Sequence, residues 1–447
     1  MKIINSDEFN IYWKNQNNHK EDTKTEKTVK KIIAAVRKDG DKAVQRFASK
    51  FDKSSPDKLE VPFTEAQKAL EQLRANETTL VEALEYSARN IMLFSKKQRE
   101  QFVNFEFEID KGLVTGQRIL PIQRAAVYIP GGRFPLFSSV LMCLIPAICA
   151  GVEEVYLSSP PAKDGLPDKK ILAAAAIAAN ACGISDNKLR LFAIGGAQAV
   201  AALCFGTETV PKADVIAGPG NKYVAAAKRI LFGEVGIDFI AGPTDILIIS
   251  DNSGESADGV EKAVELIAAD MIGQAEHDPD ARARALVPNI EIVEKIKAAI
   301  DRRLKDLPAE KIARASLDNG GLIIIYQSKE EAVRIANIIA PEHLELQTEN
   351  ADSWVPLLKN YGSLFIGALC AEVLGDYSAG INHTLPTSTS ARFTGGLSVR
   401  HFLKTVTTLR CALGEGFEKA RNAAEIIARA EGLEGHAKSA EARMFND

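Results

Sequence analysis

Gln274 and His277 stand three residues apart in GQAEHDP, residues 273 to 279, a spacing that lets an amide and an imidazole ligate one metal ion. The stretch closes an apolar stripe. Val260, Val264, Ile267 and Met271 recur at steps of four, three and four, which is one face of an amphipathic helix, and Gln274 continues that face. An amide directed at a core needs a partner, because leaving it unpaired costs roughly 1 to 3 kcal/mol. A shared ion would satisfy both side chains. A hydrogen-bonded helix boundary would also do so, and the spacing leaves both open.

Histidine usage adds weight to the metal reading. The chain has six histidines, and five lie at or after residue 277. Four stand near other ligating or acid/base groups: His277 in the opening stretch, His343 after Glu342 in APEHLEL, His383 in GDYSAGINHTLPT with Asp376, and His436 behind Glu431 in EGLEGH. His19, in a polar tract, and His401, in SVRHFLK, read as structural or surface residues. If PEHLELQ were a regular strand from its first residue, Glu342 and His343 would point to opposite faces. Pro341 ends the preceding helix and restricts the residue before it, so an irregular backbone can bring both to one site.

These residues need a scaffold of more than one core, since the chain has 447 residues and single cores stop growing at roughly 250 to 300. Hydrophobic residues at 46% and charged residues at 26% describe a soluble globular protein. A formal charge of −4 and a pI near 6.0 argue against nucleic acid as the main partner. The longest apolar stretches, from 138 and from 171, are too short to span a bilayer, and Asp7 and Glu8 interrupt any leader, so a cytoplasmic protein is expected. The six cysteines lack paired spacing and read as reduced thiols. Cys143, Cys149 and Cys204 lie in apolar runs, which favours packing over a nucleophilic thiolate.

The first hundred residues show helical periodicity. Phe105, Phe107 and Ile109 then alternate with polar residues, and Asp110-Lys111-Gly112 turns the chain into a partner strand, VTGQRIL. From 125 to 240 the strands AAVYI, EEVYLSS, LRLFAI and DVIAG alternate with Ala-rich helices, and DILIIS, ARALV, LIIIY and SLFIG repeat the grammar from 245. That pattern predicts an α/β protein with two similar, largely parallel lobes and a cleft between them. The end from about 399 reads as helical. Three glycine-rich turns follow strands, YIPGG at 128, IGGAQA at 194 and AGPGN at 217, and could bring backbone amides to an anionic ligand. None has GxGxxG spacing, so ordinary strand-to-helix connections fit them as well.

The ordered motifs YIPGG, PLFSSVLM, GGAQAVAAL, FGTETVPKAD, GPGNKYV, QAEH, APEHL and GDYSAG-NH-LPT resemble the histidinol dehydrogenase family, from about residue 24 to the end. The resemblance implies two Rossmann-like lobes of the aldehyde-dehydrogenase kind, with small helical N- and C-terminal segments that swap in a homodimer. It divides the chain into a segment 1–23, a first domain of 24–127 plus 243–398 with the metal and acid/base residues, an NAD-binding domain 128–242 and a dimerisation segment 399–447. It implies zinc held by Gln274, His277, Asp376 and His436, with His436 completing the neighbouring copy's site. Glu342 and His343 would be the acid/base pair. NAD contacts fall on Tyr128, Gln198 and Asn221. Substrate contacts fall on Thr244, Gln274, His277, His343, Asp376, His383, Glu431 and His436.

The implied reaction takes L-histidinol through its aldehyde to L-histidine with two NAD. Thr244-Asp245 stands where the family usually has Ser-Glu, and the residues before GDY also differ, although Glu372 keeps a carboxylate four residues before Asp376. These departures leave room for another small polar alcohol, such as a sulfonated diol. A silent dimer that binds zinc or nucleotide structurally is a third reading, opposed by the retained Glu342 and His343.

Overall fold

Two six-stranded sheets carry the predicted alternation of strands and helices. In the first lobe the order is Glu60–Val61, Leu189–Ala193, Glu154–Ser159, Arg124–Tyr128, Val215–Ala217, Gly236–Ile237, parallel except for the antiparallel edge strand Glu60–Val61. In the second it is Lys2–Asn5, Leu322–Ile325, Arg282–Val287, Asp245–Ser250, His343–Gln347, Ser363–Ile366, parallel throughout. The computed structural model describes residues 1–16, 22–52, 54, 56, 58–131, 135–240, 242–251 and 257–444. His19 lies outside them, as do Gly132 of the first glycine turn and Ala241.

The strands are continuous apolar runs because both faces are covered. Along Asp245–Ser250, Ile246 and Ile248 join the core under the helix Ala257–Ala275, with Val264, Ile267 and Met271, so the stripe before Gln274 is the buried face expected. Leu247 and Ile249 point the other way, into a core with Phe9 and Ile335. A third, antiparallel sheet joins Phe105–Asp110, Leu113–Pro121 and Leu403–Cys411, and Gly112 (φ 81°) supplies the left-handed turn of the hairpin. No helix among the described residues is long and apolar enough to cross a membrane.

The chain's division differs from the expectation in three places. Residues 24–127 do not accompany 243–398: Val29, Ile32, Val36 and Val44 pack with Tyr128, Phe192 and Val200, and Leu70, Leu84 and Ile91 pack in the core with Leu157 and Ile177. The described residues of 1–23 do not form a separate helical segment. Lys2–Asn5 instead adds an edge strand beside Leu322–Ile325, followed by the helix Ser6–Gln16, whose Phe9 is fully buried. The segment from 399 is not helical throughout, because Leu403–Cys411, rich in β-branched Thr405, Val406, Thr407 and Thr408, pairs with Leu113–Pro121 before the helices Glu415–Ala430 and Glu434–Glu441 begin.

Candidate active site

In the second sheet the strand order reverses between Asp245–Ser250 and His343–Gln347, and the site residues cluster at the amino ends of these two strands. Thr244 leads into one strand, and Glu342 leads into the other. Before Glu342, Ala340 takes a left-handed φ of 48° and Pro341 follows. This irregular entry resolves the alternation problem, because Glu342 and His343 reach one site. Glu342 Oε2 accepts from Thr244 Oγ1 at 2.5 Å and from the Asp245 N–H at 3.1 Å, and lies 4.0 Å from His343 Nδ1.

His343 is buried among acids. Its Nδ1 lies 3.2 Å from Glu372 Oε1 and 3.3 Å from the Asp245 carbonyl, and its Nε2 lies 3.4 Å from Asp376 Oδ1. That Nε2 has no hydrogen bond among the described residues. Glu372 and Asp376 come from one short helix, Glu372–Tyr377. Gln274, 1% exposed at the end of Ala257–Ala275, fills the space between: its amide nitrogen donates to Glu372 at 2.5 Å and its oxygen lies 2.8 Å from Thr244 Oγ1. His277 follows the end of that helix, is exposed, and is close enough that its charge acts on Asp376 and His383. His383 ties the lobes together, with Nδ1 2.7 Å from the Asp376 carbonyl and Nε2 2.8 Å from Ser139 Oγ of the first lobe.

Electrostatics follow from this crowding. Burial pushes Glu342 up to about 7, against the opposing pull of His343 and the Thr244 hydroxyl. Burial alone would lower His343, but Glu372, Glu342 and Asp376 outweigh it and raise the imidazole well above its ordinary value. Burial opposes ionisation of Asp376, yet the close approach and charge of His343 hold it below the usual carboxylate range. Burial, joined by the surrounding acids, raises Glu372 well above that range. Among the described residues no lysine or arginine pairs with Glu342, Glu372 or Asp376, and one ligand atom from each of His343, Glu372 and Asp376 falls within a 4.8 Å group. A pocket of carboxylates and imidazoles, with one ring nitrogen free of hydrogen bonds, has the donor types that suit a divalent cation.

Glu431 and His436 are not part of this cluster. Both are exposed and line a separate hollow on the two C-terminal helices with Ile427 and Leu433. The residues that sequence reasoning missed as parts of the site are Asp245 and Glu372. Asp245, noted only as a departure, turns to Arg284, with Oδ2 2.7 Å from Nη1, while Glu372 contacts both His343 and Gln274. Its four-residue spacing from Asp376 was the available signal.

The three glycine turns meet at the carboxyl ends of the first lobe's strands, beside the point where strand order reverses around Arg124–Tyr128. The Gly196 N–H donates to the Tyr128 hydroxyl at 3.1 Å, and burial pushes that phenol up to about 12. Gln198 is buried, with Nε2 lacking a hydrogen bond among the described residues. Gly218 (φ 110°) has to be glycine, since a Cβ there would stand 2.2 Å from the Tyr128 carbonyl. Asn221 is exposed, and its side chain caps the helix Lys222–Leu231 by accepting from Tyr223 N and Val224 N. Cys143 and Cys204 are buried, and burial pushes their thiols up to about 12 and about 11, which suits packing rather than a thiolate nucleophile.

The two-lobed α/β scaffold sets a histidine among carboxylates at the lobe junction. The chain belongs to the histidinol dehydrogenase family, whose model matches residues 15–444. It is 43% identical to a histidinol dehydrogenase of Aquifex aeolicus over 420 residues, covering 94% of this chain and 92% of that one. The crystal structure of a histidinol dehydrogenase from Elizabethkingia anophelis aligns with a TM-score of 0.85 at 34% identity, covering 95% and 93% of the two chains. A betaine aldehyde dehydrogenase from Staphylococcus aureus, at 12% identity and a TM-score of 0.53 over 87% of this chain and 89% of its own, shares the fold alone. The protein is thus an oxidoreductase acting on a CH–OH group, built on the aldehyde-dehydrogenase-like fold that the sequence predicts.

Proposed function

We propose that the chain oxidises L-histidinol through L-histidinaldehyde to L-histidine, the last step of histidine synthesis, with two NAD and a zinc ion. The observation that carries this reading is the convergence of Thr244, Gln274, Glu342, Glu372 and Asp376 on His343, whose Nε2 faces Asp376 without a hydrogen bond. When bound, zinc supplies a positive template for the substrate's nitrogens, and NAD accepts hydride. Gln274, His277 and Asp376 would hold the metal together with His436 of a second copy.

His343 takes the alcohol proton at Nε2 as hydride departs. Engagement of Asp376 elsewhere loosens the hold of the carboxylates on that proton, bringing the imidazole nearer the range a base needs. Glu342, with a pKa near neutrality, accepts a proton from water as it adds to the aldehyde, and the resulting diol gives up a hydride to a second NAD and its hydroxyl proton to His343, which has released the first to solvent. The lobe contact through His383 and Ser139 brings the acid–base residues toward the glycine turns, where Tyr128 and Gln198 would receive NAD. Exposed Phe105, Phe107 and Ile109 on the hairpin, with Ile426, Ile427 and Leu433 on the C-terminal helices, favour a homodimer that brings Glu431 and His436 to the neighbouring site.

Purified enzyme given L-histidinol, NAD and zinc should release two NADH per histidinol, and a chelator should stop it. One NADH per substrate, or none, would overturn the reading, and turnover of a sulfonated diol in place of histidinol would redirect it.

A further inference from the structure

Asp245 uses its two carboxylate oxygens for different tasks. Oδ1 accepts the backbone N–H of Glu342 at 3.0 Å, while Oδ2 is bound by Arg284 Nη1 at 2.7 Å. In return the Asp245 N–H donates to the Glu342 carboxylate at 3.1 Å. Glu342 is thus clamped at its backbone and at its side chain by one residue. Both members of the Asp245–Arg284 pair are buried, 6% and 4% exposed.

Arg284 is itself held from behind. Its guanidinium carbon lies 5.5 Å from the centre of the Trp13 ring, and Trp13 stacks on Phe9 at 5.6 Å. Phe9 is fully buried, and the preceding strand Lys2–Asn5 is zipped to Leu322–Ile325. A connected row therefore runs from the first strand of the chain through Trp13, Arg284 and Asp245 to Glu342. A buried carboxylate stripped of its cation does not keep its place: it takes up a proton or turns toward water, and either change alters the acceptor that fixes the Glu342 backbone.

We propose that Arg284, braced by Trp13, is a positioning residue for Glu342, acting through Asp245 and needed for the water-dependent second oxidation. The inference rests on the reading of Glu342 as the residue that activates water. It makes the N-terminal segment part of the catalytic support, and it gives the aspartate at 245 a specific task, since its carboxylate spans the gap between the guanidinium and the Glu342 backbone.

The test separates the two oxidations in the zinc-loaded enzyme, following the first NADH formed from L-histidinol and, separately, NADH formed from supplied L-histidinaldehyde. In Arg284→Met, kcat for the aldehyde should fall roughly ten- to hundredfold, the cost of a base displaced by about an ångström, with KM for the aldehyde and the alcohol step changed less than about threefold. Arg284→Lys should recover most of the loss, because the contact is a single N–H to one oxygen. Trp13→Ala should give a smaller defect in the same step. Should Arg284→Met fail to fold, Trp13→Ala carries the test, with that smaller loss confined to the aldehyde step. Equal losses in both steps, or none in either, would overturn the proposal. Glu342→Gln is the control: if it leaves aldehyde oxidation intact, the role given to Glu342 fails, whereas if it abolishes that step and Arg284→Met does not affect it, only the brace fails.

Discussion

Replacing Glu345 with glutamine tests whether a shared proton holds the floor beneath His343. Glu345 Oε1 accepts the Glu372 N–H at 2.6 Å, and Gln347 Nε2 donates to Glu345 at 2.9 Å and to Asp270 at 2.8 Å. Burial first, then the Asp270 carboxylate, pushes Glu345 from 4.5 to about 8. Asp270 is also raised, mainly by burial, so the two titrate as a pair. A folded-state pKa above the unfolded one gives stability that is complete below the unfolded value and is lost as pH rises through the folded value. With those two values, the stability lost between about pH 5.5 and about pH 7.5 is on the order of 2 kcal/mol.

Glutamine at 345 keeps an acceptor for Glu372 and offers a donor to Asp270, so it should remove most of that slope. Urea denaturation of both proteins at the two pH values, with zinc saturating throughout, gives a difference of differences in which the other titrating groups largely cancel. The variant should gain on the parent by about 2 kcal/mol on going from the lower to the higher pH. Parallel behaviour of the two proteins would mean that Glu345 does not share a proton with Asp270 in the folded state.

Three further outcomes are expected. His343→Asn should lower turnover by roughly 10²- to 10⁴-fold, measured as NADH formation, while leaving bound zinc unchanged by metal analysis. Gln198→Ala should raise KM for NAD by about tenfold, the worth of one hydrogen bond, with little change in kcat in steady-state assays. Coexpressed Gln274→Ala and His436→Ala chains should recover part of the activity that each lacks alone, through one intact hybrid site, and complete failure in verified dimers would count against a shared site.

Much of the scaffold was legible because it is written in short-range periodicity. The runs AAVYI and DILIIS announce strands covered on both faces, and the Val260–Met271 stripe announces the helix that ends at Gln274. Glycine at 218 marks a place where a backbone has to pass close by. The strand Leu403–Cys411 was less legible, since its pairing with Leu113–Pro121 spans almost three hundred residues and its own pattern lacks a clean apolar face.

Residue types and motif order by themselves determined the α/β class and the family, and singled out Gln274, Glu342, His343 and Asp376 as candidates. Tertiary structure alone decided that residues 24–127 build the first lobe, that the site lies at the amino ends of two strands, and that Asp245 faces Arg284 while Glu372 meets His343. The reason is physical: periodicity records which face of an element is buried, whereas the partner covering that face is chosen by packing and charge pairing between segments distant in the chain.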